Sequence, residues 1–213
     1  MSLTRELPIT RADKAGYSPV LEANIARGAL SIGEMAKAIQ VTSDNGLANL
    51  LLREIGGPEA FTHDMRAMGD QVTRLDRYEV DMSSVGPGDL RDTSSPRAMA
   101  MSMARIFTTD YLTPVSKEML IAWMVETQTG TKRLRAGLPT NWVTGDKTGS
   151  SFNNNTNVPN RANDVAVAWP QGGPPLIITC FYETPTQGPN LTDADQAVLA
   201  EVGRIGANWY QNL

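Results

Sequence analysis

Cysteine and histidine are nearly missing from this chain, and their scarcity removes several chemistries at once. Cys180 is the sole cysteine, so neither an internal disulfide nor a thiolate metal cluster can form within the chain. It lies in the apolar run Leu176-Ile-Ile-Thr-Cys-Phe-Tyr182 and reads as a small buried hydrophobe rather than a reactive thiol. His63 is the sole histidine and falls mid-helix in Phe61-Thr-His-Asp-Met-Arg66, on a polar face, where it reads as a surface residue. Any serine chemistry would then take a lysine or a carboxylate as its base. Long apolar runs are also absent: none approaches membrane-spanning length, and Met1-Ser-Leu-Thr-Arg-Glu-Leu7 lacks the apolar core of a signal peptide. There is no excess of basic residues either. The formal charge of -4 leaves no footprint for nucleic acid, and no membrane partner is expected. A length of 213 residues allows one domain, built as a single body of two lobes.

What is present changes character along the chain. The stretch up to about Gly28 reads as irregular, with a turn-like Tyr17-Ser-Pro-Val20. Ser31-Ile-Gly-Glu34 is a capping box, and Ile32, Met35, Ala36 and Ile39 follow at helical spacing. A second helix carries Leu47, Leu50, Leu51 and Ile55 and ends at Gly56-Gly57, and Pro58 opens a third. Between Arg74 and Asp92 no period holds, and so long a loop in a compact domain is usually functional or disordered. Ser95-Pro96 and Thr113-Pro114 start two more helices, whose methionines read as core filler. Strands are predicted over Trp142–Gly149, Val165–Trp169 and Leu176–Tyr182, followed by a helix capped at Thr192 and carrying Val198, Val202, Ile205 and Trp209. Helices first, then an antiparallel sheet covered by the C-terminal helix, make the fold class α+β. Residues 20–138 are grouped as a mainly helical lobe that includes loop 74–92, and 139–213 as three strands with the last helix.

Three short sequences stand out: Ser43-Asp44-Asn45 at a helix end, Arg74-Leu-Asp-Arg-Tyr-Glu79 in the long loop, and Lys147-Thr148-Gly149 on a strand. Each alone is common; their order and context carry the signal. Tyr17-Ser-Pro-Val20, Gly56-Gly-Pro58, Pro87-Gly-Asp-Leu-Arg-Asp-Thr93, Trp142-Val-Thr-Gly-Asp-Lys-Thr-Gly149 and Asn163-Asp-Val-Ala-Val-Ala-Trp-Pro170 extend the pattern. From about Leu7 onward the chain resembles the class A serine β-lactamases, in particular their penicillinase and extended-spectrum cephalosporinase branches.

The resemblance implies a β-lactamase/transpeptidase-like fold and hydrolysis of β-lactam antibiotics through a serine acyl-enzyme, with neither cofactor nor metal. By the same resemblance Glu79 activates the deacylating water, and Arg77 and Asp92 clamp the loop neck; Ser83 departs from the pattern, standing where the family usually has an asparagine that helps hold that water. Ser43 relays a proton and Asn45 holds the substrate's side-chain amide, while Tyr17 forms a wall of the site. Lys147, Thr148, Gly149 and Ser150 grip the substrate carboxylate, with Ser150 N–H as half of an oxyanion hole. Arg161 is the expected extra cation.

Two further departures accompany this pattern. No serine in the chain has a lysine three residues later, so the Ser-x-x-Lys element that carries the nucleophile is missing. The chain is therefore expected to be N-terminally truncated, lacking the nucleophile helix and the first strands. Met1-Ser-Leu3 reads as an expression-vector start. On this expectation the full-length protein is a monomeric, secreted or periplasmic enzyme, the 213-residue chain alone is inactive, and the absent segment could complement it. The second departure is an Asn-rich lengthening of the hairpin after Ser150. A non-catalytic binder of peptidoglycan-like ligands and an acylating transpeptidase are the alternatives; Glu79 in its arginine-bearing loop argues against the latter.

Overall fold

A computed structural model of the chain describes residues 2–84, 86–152, 158–185 and 188–213. It is α+β and divides into two compact units, residues 1–85 with 89–93 and residues 86–88 with 94–213.

The first unit opens with strand β1 (Glu6–Pro8), which pairs antiparallel with β2 (Ala29–Ser31) and sets Leu7 opposite Leu30. Helix α1 (Pro19–Asn24) lies between them, so the N-terminal stretch is regular rather than irregular. Three-residue strands and a six-residue helix are too short to leave a hydrophobic period in the sequence. Helix α2 (Ile32–Thr42) begins at the capping box: Ser31 Oγ accepts the Glu34 N–H at 3.2 Å, and the Glu34 carboxylate accepts the Ser31 N–H at 2.8 Å. That hydrogen bond, with Arg27, holds the Glu34 pKa down at about 2. Helices α3 (Asn45–Glu54) and α4 (Gly57–Ala67) follow. Ile9, Leu21, Leu30, Met35, Ala38 and Leu47 form the core. His63, on α4, is exposed.

The second unit holds helices α5 (Pro96–Thr108) and α6 (Pro114–Val125), an antiparallel sheet of β3 (Val143–Ser151), β4 (Arg161–Trp169) and β5 (Leu176–Glu183) in that order, and α7 (Asp193–Gln211). The sheet is covered on both faces. Val167 points into a cluster with Phe107 and Met124, whereas its neighbour Ala168 points to the other face with Leu138, Leu176 and Ala207. Helices α5 and α6, grouped with the helical lobe in the sequence reading, pack on this sheet. Periodicity reveals that a helix has an apolar face; it carries no information about which partner that face meets.

Three further details differ from expectation. The side of α7 that packs inward is Leu199, Gly203 and Ala207, whereas Ile205 and Trp209 are more than half exposed. Small residues win the inner face because the helix lies against the Leu134–Gly137 3₁₀ turn, and a Cβ at Gly203 would sit 2.3 Å from the Leu134 carbonyl oxygen. Cys180 is half-buried rather than buried, though burial still raises its thiol pKa. Met35, Met65, Met68 and Met124 are core residues, while Met101 is exposed. The Asn-rich lengthening of the β3–β4 connection falls largely on 153–157, outside the described residues.

Gly137 tests this packing. A Cβ there would lie 1.8 Å from the Ala200 carbonyl oxygen of α7. Gly137→Ala is expected to destabilise the chain by roughly 1–3 kcal/mol, as overpacking does, measured as a lowered urea midpoint with an unchanged slope.

Candidate active site

Ser43-Asp44-Asn45 is the turn between α2 and α3. Ser43 caps α2 in the left-handed region, φ 63 and ψ 44, its N–H reaching the Ile39 carbonyl at 3.1 Å. Asp44 is fully buried and is the organising residue of the turn. Its carboxylate accepts the N–H groups of Val20 at 2.9 Å, Leu21 at 3.0 Å and Leu47 at 3.0 Å. It thereby ties the first turn of α1 to the start of α3, a favourable place for negative charge. Asn45 donates its N–H to the Tyr17 carbonyl at 2.9 Å, and the Tyr17 side chain stands exposed. Gly16, with φ +48, passes so close that a Cβ would lie 2.6 Å from Val80 Cγ1 and 3.2 Å from Asn45 Nδ2. The structure therefore brings Tyr17, Asn45 and the Glu79–Val80 segment together.

Glu79 is half-buried, and its backbone is fixed at both polar atoms. Its N–H donates to Asn49 Oδ1 at 2.8 Å, and its carbonyl accepts from Asn49 Nδ2 at 2.8 Å. Asn49 lies one turn beyond Asn45 on the same side of α3. Ser83 Oγ donates to Glu79 Oε2 at 3.4 Å. At the loop neck the Asp92 side chain is 1% exposed. It accepts the N–H groups of Asp76 at 2.6 Å and Arg77 at 3.0 Å, and the Arg77 Nε–H at 2.6 Å. The Asp92 N–H returns a bond to the Asp76 carboxylate at 2.9 Å. Arg77 also reaches the Ser84 carbonyl at 3.2 Å, which draws the loop across its own neck.

In the second unit the end of β3 carries the strand residues. Lys147 Nζ donates to the Thr148 carbonyl at 2.8 Å, and Thr148 Oγ1 meets Thr129 Oγ1 at 2.8 Å. Gly130, with φ +72, admits this approach; a Cβ there would lie 2.2 Å from the Thr148 methyl group. Gly149 and Ser150 are exposed. The cation at Ser150 is Arg133: its buried guanidinium donates to Ser150 Oγ at 2.6 Å, the Asn163 carbonyl at 2.8 Å and the Gly149 carbonyl at 3.1 Å. Arg161 is ion-paired at 2.9 Å with Glu183, its partner across β4 and β5. Under the strand lie two fully buried acids, Asp146 and Asp164.

Sequence reasoning passed over Asn49, Arg133, Asp146 and Asp164. A signal existed for three of them. Asn49 is a lone polar residue among Leu47, Leu50 and Leu51, Asp146 falls inside the predicted strand 142–149, and Asp164 directly precedes the apolar run Val165–Trp169, places where an aspartate is uncommon. Nothing local distinguishes Arg133 from its neighbours Lys132 and Arg135. Among the described residues, no group of three or more His, Cys, Asp or Glu side chains is placed to hold a metal, and no helix is long and apolar enough to cross a membrane.

A profile of the β-lactamase enzyme family matches residues 1–213. The chain belongs to that family, within its class A serine enzymes. It is 41% identical over 194 residues to a β-lactamase of Streptomyces fradiae, which covers 90% of this chain and 60% of the relative. It is 38% identical over 190 residues to the carbapenem-hydrolysing β-lactamase KPC of Klebsiella oxytoca, covering 89% of this chain and 61% of that one. Among solved structures, an ancestral (GNCA) class A β-lactamase matches with a TM-score of 0.88 at 42% identity, covering 98% of this chain and 76% of that chain. The chain thus spans about three fifths of the length of these curated relatives.

The loop neck supports a quantitative expectation. Removing one partner of a buried ion pair typically costs about 3–5 kcal/mol. The Arg77 side chain keeps 19% exposure, so the lower end applies: Arg77→Ala is expected to cost about 3 kcal/mol. Asp92→Ala, which also strands two backbone N–H groups, is expected to cost more. Equilibrium denaturation of the two variants checks the order.

Proposed function

We propose that this chain carries the substrate-gripping and deacylation residues of a secreted or periplasmic, monomeric β-lactam hydrolase that works through a serine acyl-enzyme. One observation carries the reading: Glu79 is a loop carboxylate whose own N–H and carbonyl are both held by Asn49, in a loop whose neck is an ion pair. A general base must stand within hydrogen-bond reach of its water, and only a fixed loop can keep it there. A solvated loop acid would need no such clamp.

The other roles follow residue by residue. In the first unit, Glu79 takes a proton from the water that attacks the acyl-enzyme carbonyl, and Ser83, bonded to the Glu79 carboxylate, helps orient that water. Ser43 passes a proton to the departing lactam nitrogen, Asn45 bonds the side-chain amide of the substrate, and Tyr17 offers an exposed aromatic wall. In the second unit, Lys147 provides positive potential. Thr148 and Ser150 donate hydroxyl hydrogens to the substrate carboxylate, Gly149 lets the substrate lie close to the strand, and the Ser150 N–H stabilises the oxyanion. Arg133, already on Ser150 Oγ, supplies the cation expected of Arg161. These 213 residues contain no Ser-x-x-Lys element, so the reading requires an attacking serine from such an element, and a segment bearing one is the partner to supply for complementation.

Two measurements test this. The 213-residue chain alone should leave nitrocefin unhydrolysed, and the same chain with a Ser-x-x-Lys segment supplied should hydrolyse it; silence in the second case would sink the reading. In that completed protein Glu79→Gln should slow deacylation by about 10²–10⁴-fold, leaving an acyl adduct visible by mass spectrometry. Undiminished turnover would remove Glu79 from its role.

A further inference from the structure

The buried acids beneath β3 have no part in that scheme. Asp164 stands opposite Thr148 and Asp146 opposite Ala166, so the two are diagonal neighbours on one face of the β3–β4 pair. Two arginines flank them. Arg135 pairs with Asp146 and also donates to the Met124 and Val125 carbonyls at 3.1 and 3.3 Å, closing the C-terminus of α6. Asp164 Oδ2 accepts the Leu134 N–H at 3.1 Å and so fixes the first residue of the 3₁₀ turn, immediately after Arg133. Among the described residues, Arg133 Nε and Asp164 Oδ1 then belong with the buried atoms left without a hydrogen-bond partner, as does Arg135 Nε. A donor and an acceptor, on side chains that attract each other, are both left unsatisfied while the rest of the guanidinium is committed to Gly149, Asn163 and Ser150. Such a pattern is costly if Asp164 is ionised and cheap if it is neutral.

We propose that Asp164 is a positioning residue for Arg133: while its carboxyl is protonated the guanidinium stays on Gly149, Asn163 and Ser150, and when the proton leaves to solvent Asp164 Oδ1 competes for the guanidinium and loosens its hold on Ser150. The consequence for the reaction rests on reading Ser150 as a contact for the substrate carboxylate. The charged and titratable groups around Asp164 are Asp146 and Lys147 on β3, Arg133 and Arg135 at the 3₁₀ turn, and Cys180 opposite it on β5. On α7, which also packs on β4, the buried acid is Asp195, bonded to its own N-cap Thr192.

Burial pushes the Asp164 pKa up to about 7, with the charge of Asp146 adding to it and the Leu134 N–H, Arg133 and the Val165 N–H opposing. Burial likewise raises Asp146 to about 6, against Arg135. An unfolded aspartate titrates near 3.9. Between that value and the folded ones the native state binds more protons than the unfolded state. The acids' contribution to stability is therefore largest below about pH 4, falls as pH rises towards about 7, and is flat above.

The test is a ¹⁵N NMR titration of the 213-residue chain from about pH 5 to about pH 8, following the Leu134 amide and the Arg133 Nε–H. Both should move with a common midpoint near 7, and Asp164→Asn, which keeps an acceptor for Leu134, should leave both flat. Signals that stay still in the unaltered chain would overturn the proposal, as would an Arg133 titration that persists in Asp164→Asn. The unaltered chain decides alone if the variant does not fold. The titration reads a proton on Asp164 whether or not β-lactams are hydrolysed, so a failed nitrocefin test leaves it standing.

Discussion

A buried aspartate that accepts main-chain N–H groups recurs beside every segment assigned a role. Asp44 holds three such groups from two helices, Asp92 holds two at the loop neck together with Arg77, and Asp164 holds Leu134 at the head of the 3₁₀ turn. A carboxylate is suited to this because it offers two oxygens and about four acceptor directions to donors that would otherwise be buried unmet. Each stands one or a few residues from the chemistry: Asp44 between Ser43 and Asn45, Asp92 across from Arg77 in the loop of Glu79, Asp164 opposite Thr148. The residues proposed to touch substrate can then be exposed, as Tyr17 and Ser150 are, without being loose.

The three aspartates differ in their compensation, and that difference matters. Asp44 sits at helix N-termini, where the backbone itself is positive. Asp92 has a guanidinium. Asp164 has the N–H groups of Leu134 and Val165, a like-charged neighbour, and an arginine whose hydrogen bonds go elsewhere. It is the member of the set for which a proton is the natural counter-charge, and it lies behind the strand that carries Lys147 to Ser150.

Much of the helical part was legible because capping and spacing are local. The Ser31–Glu34 box, the Pro96 and Pro114 starts and the Thr192 cap mark helix ends through contacts within one turn. The family was legible for a related reason: Ser43-Asp44-Asn45, the Glu79 loop and Lys147-Thr148-Gly149 are contiguous stretches whose types and order survive as text. Contacts that close over long separations left no such mark. Asn49 meets Glu79 thirty residues away, and Arg133 meets Asn163 at the same separation.

The sequence by itself determined the family, the α+β class, and the residue types available for chemistry: one histidine, one cysteine, and a loop carboxylate with a strand lysine in place of either. Tertiary structure decided which of several similar side chains does what. It put α5 and α6 on the sheet, turned the small rather than the large side of α7 inward, and set Arg133 instead of Arg161 on Ser150. The reason is common to all three. Local sequence specifies what a segment can bury or bond, but the choice among equivalent partners is made by packing and by the satisfaction of buried polar groups, which exist only once distant segments have met.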